Sequence, residues 1–429
     1  MFLYLTLKKG EAFMNDAASD IFIVNVNMIQ AVALAVVMYY VGVWVKSKIQ
    51  VLERYSLPSP VVGGMLCATT LSTLQYFGIM QVNFDGTLQS LLMLAFFTTI
   101  GLMASLKVVE QGGKLLVGFL LAVSVLAVIQ NLLGMGLASF MGLDYHYGLL
   151  AGSVSMMGGL GTSAAFGPYF EQTYGIVGGT AVAITSATFG MVAALMIGAP
   201  FGEWLIRKYK IKTPKEVEQP EPPLHLPDEM HTGIMSEHAA EKPTLTHDMM
   251  KAVGIVAICM GLGSIVSGML GQLITLPGYI GSMIVAAVIR NISDLDLGKS
   301  LRIDEKSLNT VADITLVLFV TMAVNSLKLH ELVNLAIPMM VILAAQTILM
   351  LAFAWGVLFM LFKRDYDTVM LTVGGIGFSM GATANGLANM QAMAEKYGSS
   401  PKAWLIVSLV GAFLIDFINA VVITTMGAM

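Results

Sequence analysis

Among 23 basic and 27 acidic side chains, only Asp313 and Asp416 fall inside the long uncharged runs of this chain. An ionisable group at such depth is a candidate functional residue. Asp416 lies in "GAFLIDFINAVVI", and Asn419 follows it at i+3 on the same helical face. Either this pair coordinates a cation, or Asp416 is a buried, hydrogen-bonded structural carboxylate. Asp313 stands about four residues from the end of its run, within snorkelling distance of an interface.

A second concentration of chemistry lies in two glycine-rich, uncharged stretches, 148–170 and 370–393. The first carries Gly158, Gly159 and Gly161 with Ser153, Ser155, Thr162 and Ser163; the second carries Gly374, Gly375, Gly377 and Gly381 with Ser379, Thr383, Asn385 and Asn389. Glycines permit sharp turns and close approach of backbone to a ligand. Helix N-termini meeting at such a turn favour an anion, while unwound carbonyls with Ser, Thr and Asn oxygens favour a small cation. Close packing of small residues in lipid is the competing explanation. It accounts for pairs such as Gly134 with Gly136 and Gly261 with Gly263, and poorly for polar residues gathering with the glycines twice. The candidate substrate residues are therefore Gly158, Gly159, Gly161, Thr162, Ser163, Gly381, Thr383 and Asn385. The candidate cation residues are Ser379, Asn389, Asp416 and Asn419.

The elements that must position these residues follow from composition. The 429 residues are 56% hydrophobic and 12% charged. Runs such as 21–45, 55–84, 115–143, 172–202 and 332–362 reach the roughly 20 residues that span hydrocarbon as a helix. The chain reads as an all-α polytopic membrane protein. Spans are predicted at 22–45, 58–80, 88–106, 115–141 and 176–203, then at 252–275, 277–292, 309–327, 334–361 and 403–426. Residues 1–20 read as a surface-lying tail, since Lys8 and Lys9 follow the apolar run instead of preceding it.

Residues 207–250 read as a flexible cytoplasmic linker, which holds six of the chain's 13 prolines. Its histidines His225, His231, His238 and His247 match no ligand spacing, so a solvated loop is predicted and no metal site. Cys67 and Cys259 lie in apolar spans, so no disulfide is predicted. Gln130 and Gln346, at matching mid-span positions, predict interhelical hydrogen bonds.

The chain repeats itself. Ser105-Leu106-Lys107 recurs as Ser326-Leu327-Lys328, Tyr174-Gly175 as Tyr397-Gly398, and "LPSPVVGGM" (57–65) is echoed by "LPGYIGSM" (276–283). If each glycine-rich stretch enters and leaves on one side, residues 21–206 and 251–429 are units of five spanning helices plus a re-entrant hairpin. An odd number of crossings inserts the two units with opposite orientation. With the linker in the cytoplasm, only Lys8, Lys9 and Lys328 of the 23 Lys and Arg fall outside. Ten transmembrane helices with both termini outside are predicted, with hairpins 148–170 and 370–393 dipping in from opposite faces.

Taken together, "PVVGGML" (60–66), "LLMLAFFTTIGL" (91–102), "GLLAGSVSMMGGLGTSAAF" (148–166), "ATFG" (187–190), "GFSMGATANGLANMQAM" (377–393) and "GAFLIDFINAVVI" (411–423) resemble the bacterial sodium/glutamate symporter family. The resemblance runs in order over all but the tail and the linker. It implies a homodimeric, elevator-type inverted-repeat carrier of the bacterial inner membrane, coupling inward sodium flow to glutamate uptake, with no cofactor. Matched motif positions carry site roles to Gly158, Gly159, Gly161, Thr162, Gly381, Thr383, Asn389 and Asp416.

Two positions depart from the family pattern. Leu160 stands where a histidine is expected, and Ala384-Asn385 where a proline and a second threonine are. The substrate is accordingly glutamate or a closely related anionic amino acid. The alternatives are a cation-coupled carrier of another small carboxylate or amino acid, or a cation/proton exchanger using Asp416. Lipid is the surrounding partner and nucleic acid is not one. An enzyme is not predicted, since the spans hold no histidine, His146 and His330 being placed at outer ends.

Overall fold

The computed structural model describes residues 22–54, 57–214, 245–270, 278–295, 304–329 and 335–429. The tail 1–20, linker residues 215–244 with His225, His231 and His238, and His330 lie outside the described residues.

Along the chain run β1 (Phe22–Val26), α1 (Met28–Lys48), α2 (Gln50–Arg54), α3 (Ser59–Tyr76), β2 (Met80–Phe84), α4 (Thr87–Met103) and α5 (Leu106–Phe140). Next come α6 (Tyr145–Leu149), α7 (Gly159–Tyr174) and α8 (Gly179–Tyr209). The second half holds α9 (Leu245–Leu270), α10 (Tyr279–Ser293), α11 (Glu305–Asn325), α12 (Ala336–Phe353), α13 (Tyr366–Met380), α14 (Thr383–Tyr397), α15 (Pro401–Leu409) and α16 (Ile415–Gly427). Six helical segments, Met28–Lys48, Gly113–Phe140, Gly179–Tyr209, Thr246–Met269, Glu305–Asn325 and Ala336–Phe359, are long and apolar enough to cross a bilayer. This is a multi-pass membrane protein.

Several boundaries differ from the sequence reading, each for a local reason. The expected span 22–45 begins with a strand, because "FIVNV" pairs in parallel with "MQVNF" in the register Phe22 with Met80 through Val26 with Phe84. The Asn83 amide donates to the Asn25 side chain across that pair at 3.1 Å. Asn27 then starts α1 through a capping box with Gln30. An otherwise all-α chain thus carries a two-stranded ribbon. The span expected from 115 extends back to Leu106 across a break at Gly113, where φ is 60° and ψ −159°. Helix α11 starts at Glu305 because Asp304 accepts from the Ser307 N–H at 2.8 Å. Asp313 therefore stands two turns inside its helix, not one, and is exposed. Both ends of the predicted linker are ordered. Residues 207–209 complete α8, Ile211 and Thr213 are buried, and 245–250 form the start of α9, where His247 is exposed.

The helices pack as two bodies. In one, α1 packs on α3 and α9 on α10, while α3 meets α11, α10 meets α4, and α4 meets α11. Bare glycines make those crossings close. A Cβ at Gly63 would lie 1.7 Å from the Met38 carbonyl oxygen, and one at Gly263 would lie 2.2 Å from the Ser282 Cα. The other body gathers α5–α8 and α12–α16. Phe97 and Tyr279 stack at 4.1 Å between centroids, and Tyr279 meets its Phe166 edge-on. The small-residue pairs flagged in the sequence split. Gly134 abuts Gly148 and Gly263 abuts Ser282, whereas Gly136 and Gly261 face open space.

Candidate functional site

The second body is built around two broken helical hairpins. In the first, Asp144 caps α6 by accepting from the His146 N–H at 2.9 Å. Helix α6 passes into a π-helical turn at Leu150–Val154, distorted at Gly152 (φ −88°, ψ −133°). After a short turn, α7 starts at Gly159 with φ +59°, a left-handed value that only glycine adopts without strain. The base is clamped by His146, buried and stacked between Tyr145 and Tyr174 at 4.0 and 4.1 Å. Its Nδ1 lies 2.6 Å from Asp144 and its Nε2 3.1 Å from the Gly427 carbonyl oxygen, which joins this hairpin to the end of α16. Burial pushes the Tyr174 hydroxyl up to about 12.

In the second hairpin, Asp365 caps α13 by accepting from the Thr368 N–H at 2.9 Å. The helix stops at Met380, Gly381 leaves helical geometry (φ −149°, ψ −93°), Ala382 is extended, and α14 starts at Thr383. Neither α7 nor α14 has a side-chain N-cap. The first three N–H groups of α7 and the Thr383 and Ala384 N–H groups of α14 therefore have no intrahelical acceptor, whereas the Asn385 N–H donates to the Ala382 carbonyl at 2.9 Å. The two breaks touch, since a Cβ placed on Gly159 would lie 2.6 Å from the Gly381 carbonyl oxygen. Two uncapped helix N-termini thus converge on one point inside the protein, which is how a helical scaffold presents positive potential without a charged side chain.

The interrupted backbone is satisfied from α5 and α16. The Asn131 Oδ1 accepts from the Ser153 N–H at 2.7 Å, and the Asn419 amide donates to the Ser153 carbonyl at 3.0 Å. The Gln130 amide donates to the Ser379 carbonyl at 3.0 Å, and the Gln346 amide to the Gln130 carbonyl at 2.7 Å. Backbone groups in hydrocarbon require such partners. Five buried oxygens around this network have no hydrogen-bond partner: Gln130 Oε1, Ser153 Oγ, Gln346 Oε1, Ser379 Oγ and Asn419 Oδ1. Amide oxygens and hydroxyls left without partners suit a hard cation. Asp416, one turn before Asn419, follows a further π-helical turn at Val410–Leu414 and is partly exposed. No hydrogen bond or ion pair reaches it among the described residues, so a structural-carboxylate role has no partner here.

The sodium/glutamate symporter family model matches residues 24–399. The chain belongs to the sodium/glutamate symporter family. It is 38% identical over 378 residues to the sodium/glutamate symporter of Escherichia coli K12, covering 87% of this chain and 90% of that protein. It is 35% identical over 393 residues to that of Haemophilus influenzae, covering 91% and 95%. Members of this family are transporters, not enzymes.

For a sodium/glutamate symporter, the sequence-predicted residues separate into those at the contact and those that hold it. Gly158, Gly159, Gly381 and Thr383 stand at the two breaks. Gly161 faces Phe96 and Leu316 of the other body, and Thr162 folds back over Gly158. The Thr383 hydroxyl donates to the Gly411 carbonyl at 2.5 Å, inside the unwound turn before Asp416. Ser163 is drawn away from the contact, since its hydroxyl donates to Ser155, which in turn lies 2.8 Å from the Ala183 carbonyl. The Asn385 and Asn389 amides donate to the Met191 and Ala194 carbonyls of α8 at 2.8 and 2.9 Å. Ser379 accepts from Gln130 of α5 and Asn419 donates to Ser153, whose N–H reaches Asn131 of α5, whereas Asn389 is pressed against Gly198 of α8 and belongs to a different set of contacts.

Gln130 and Gln346 bridge helices through backbone carbonyls, with no amide-to-amide bond between them. Asn131 went unnoticed in the sequence. The available signal was a pair of adjacent amides, Gln130-Asn131, in the middle of an apolar span. Leu160 packs with the cluster around Ala68 and Phe319.

Proposed function

We propose that this chain takes up glutamate, or a closely related anionic amino acid, in symport with sodium across the bacterial cytoplasmic membrane. The apposition of Gly159 and Gly381, each beside an uncapped helix N-terminus, is the observation that carries this reading. The substrate carboxylates meet the first-turn N–H groups of α7 and α14. Thr162 and Thr383 supply hydroxyls, and Gly158, Gly161, Ser163 and Asn385 shape and hold the two arms. Sodium takes the oxygens left without donors at Ser379 and Asn419, with Gln130, Ser153 and the Asp416 carboxylate. Asn389 supports the second arm against α8. Coupling follows from charge, because the anion-binding helix ends and the adjoining oxygen cluster are each stabilised when the other is filled.

The architecture that serves this is ten transmembrane helices in two inverted repeats, residues 21–206 and 251–429. Each repeat has a re-entrant hairpin, 148–170 and 370–393, and the units are joined through a cytoplasmic linker, 207–250, with both termini outside. The matched crossings of α1 on α3 and α9 on α10, and of α3 on α11 and α10 on α4, support this reading. The body of α5–α8 and α12–α16 moves as an elevator against the other, within a homodimer. Radiolabelled glutamate uptake into proteoliposomes tests the function. An inward sodium gradient drives accumulation above equilibrium, and replacing sodium with choline abolishes it. Accumulation that persists in choline, or sodium-loaded vesicles that exchange protons without moving glutamate, refutes the proposal.

A further inference from the structure

A cavity of about 720 Å³ opens on the side where α5 breaks, α12 ends and α15 begins. Its rim carries Lys114, Lys363 and Lys402, and its wall is Leu115, Leu361 and Phe362. The ring of Phe362 rests on α5 at Gly118, one turn deeper than Lys114. Cationic groups therefore stand above an apolar floor, and Leu361 is 76% exposed. Lys114 follows the helix break at Gly113, and Lys402 lies in the first turn of α15 behind the Ser400 cap, so two helix N-termini add to the positive potential. No carboxylate forms an ion pair with any of the three lysines among the described residues. Asp365 and Asp367 on the same side are engaged by Thr368 and Ser400. On the same ends of α8 and α12, Lys208 lies over the Trp204 ring at 4.4 Å and Trp355 donates to the Tyr209 hydroxyl at 2.9 Å, an aromatic belt of the kind found at a membrane surface.

We infer that this cavity binds the phosphodiester headgroup of an anionic phospholipid, with an acyl chain along Leu361 and Phe362. Unpaired lysines over an apolar floor at the headgroup level fit a single-charged phosphodiester with a hydrocarbon tail, and basic pockets between helices are built in this way. A zwitterionic lipid carries its own ammonium and gains little there. Assignment to the cytoplasmic leaflet rests on the orientation proposed above; binding itself does not.

Native mass spectrometry of the full-length protein in detergent with phosphatidylglycerol or phosphatidylcholine tests the inference. The wild type retains phosphatidylglycerol in preference to phosphatidylcholine. Replacing all three of Lys114, Lys363 and Lys402 with Gln weakens that retention, by about fivefold per lysine and on the order of a hundredfold together. Replacing Lys46, Lys48 and Lys306 with Gln removes the same charge elsewhere and leaves retention unchanged. Should the first triple variant fold poorly, the wild-type lipid preference and its loss at high salt decide instead. Equal retention of both lipids, equal loss in both triple variants, or saturable binding of inorganic phosphate that phosphatidylglycerol does not displace overturns the inference. Detergent micelles have no leaflets and the assay measures no transport, so its failure leaves the symport reading untouched.

Discussion

Replacing Gly159 with Ala probes the contact on which the site depends. A Cβ there lies 2.6 Å from the Gly381 carbonyl oxygen, where ordinary contact begins at 3.4 Å. The two breaks must therefore separate by several tenths of an ångström. Alanine at φ +59° also carries left-handed strain of about 1–2 kcal/mol. Gly175 isolates that second effect, because it has φ +68° at the end of α7 and nothing within 4 Å of its Cβ position. Gly175→Ala thus bears the strain without the collision. Forcing a methyl group into a closed contact costs about 1–3 kcal/mol more. That difference corresponds to roughly 5- to 150-fold in substrate affinity. Sodium-driven uptake of radiolabelled glutamate at subsaturating concentration, normalised to folded transporter in the vesicles, should be lower in Gly159→Ala than in Gly175→Ala by that factor. Rates within twofold of each other would show that the hairpin contact does not govern binding.

Asp416→Asn removes the carboxylate from the proposed cation cluster while keeping its shape. Sodium-dependent uptake is expected to fall by an order of magnitude or more with membrane insertion intact, and an unchanged sodium affinity would remove Asp416 from that cluster. Gly63→Val places side-chain atoms into the backbone of α1 at Met38, so its unfolding midpoint in detergent should drop by several degrees. Gly136→Ala, which meets nothing within 4 Å, should leave the midpoint unchanged, and equal behaviour of the two variants would discount the close crossing. Lys396 is held above its ordinary value, first by its hydrogen bond to Glu203 at 2.6 Å. Because the folded value is the raised one, the stabilisation is complete below about pH 10 and is lost only as pH rises through it. Glu203→Gln should therefore shift the melting midpoint equally at about pH 6 and about pH 8, and a shift that vanishes by about pH 8 contradicts this.

What the sequence determined by itself was set by the solvent and by local chemistry. Hydrocarbon demands long uncharged helices, so the apolar runs located most of the helices to within a few residues. Breaks inside that medium need glycine and nearby oxygens, so both hairpins were visible as glycine-rich polar stretches, and the family motifs lie across them. The tertiary structure alone decided which of those oxygens face the contact. Ser163, Asn385 and Asn389 have the same residue types as groups at the breaks, yet their hydrogen bonds go to Ser155, Met191 and Ala194. Asn131 acquires its role only because a distant kink at Gly152 leaves the Ser153 N–H without a helical acceptor. The parallel pairing of β1 with β2 and the meeting of Gly159 with Gly381 are likewise contacts between segments far apart in the chain. Helix formation reads neighbours three and four residues away, whereas the partner of a broken backbone is chosen by how helices dock. That choice leaves no periodic trace in the residues that make it.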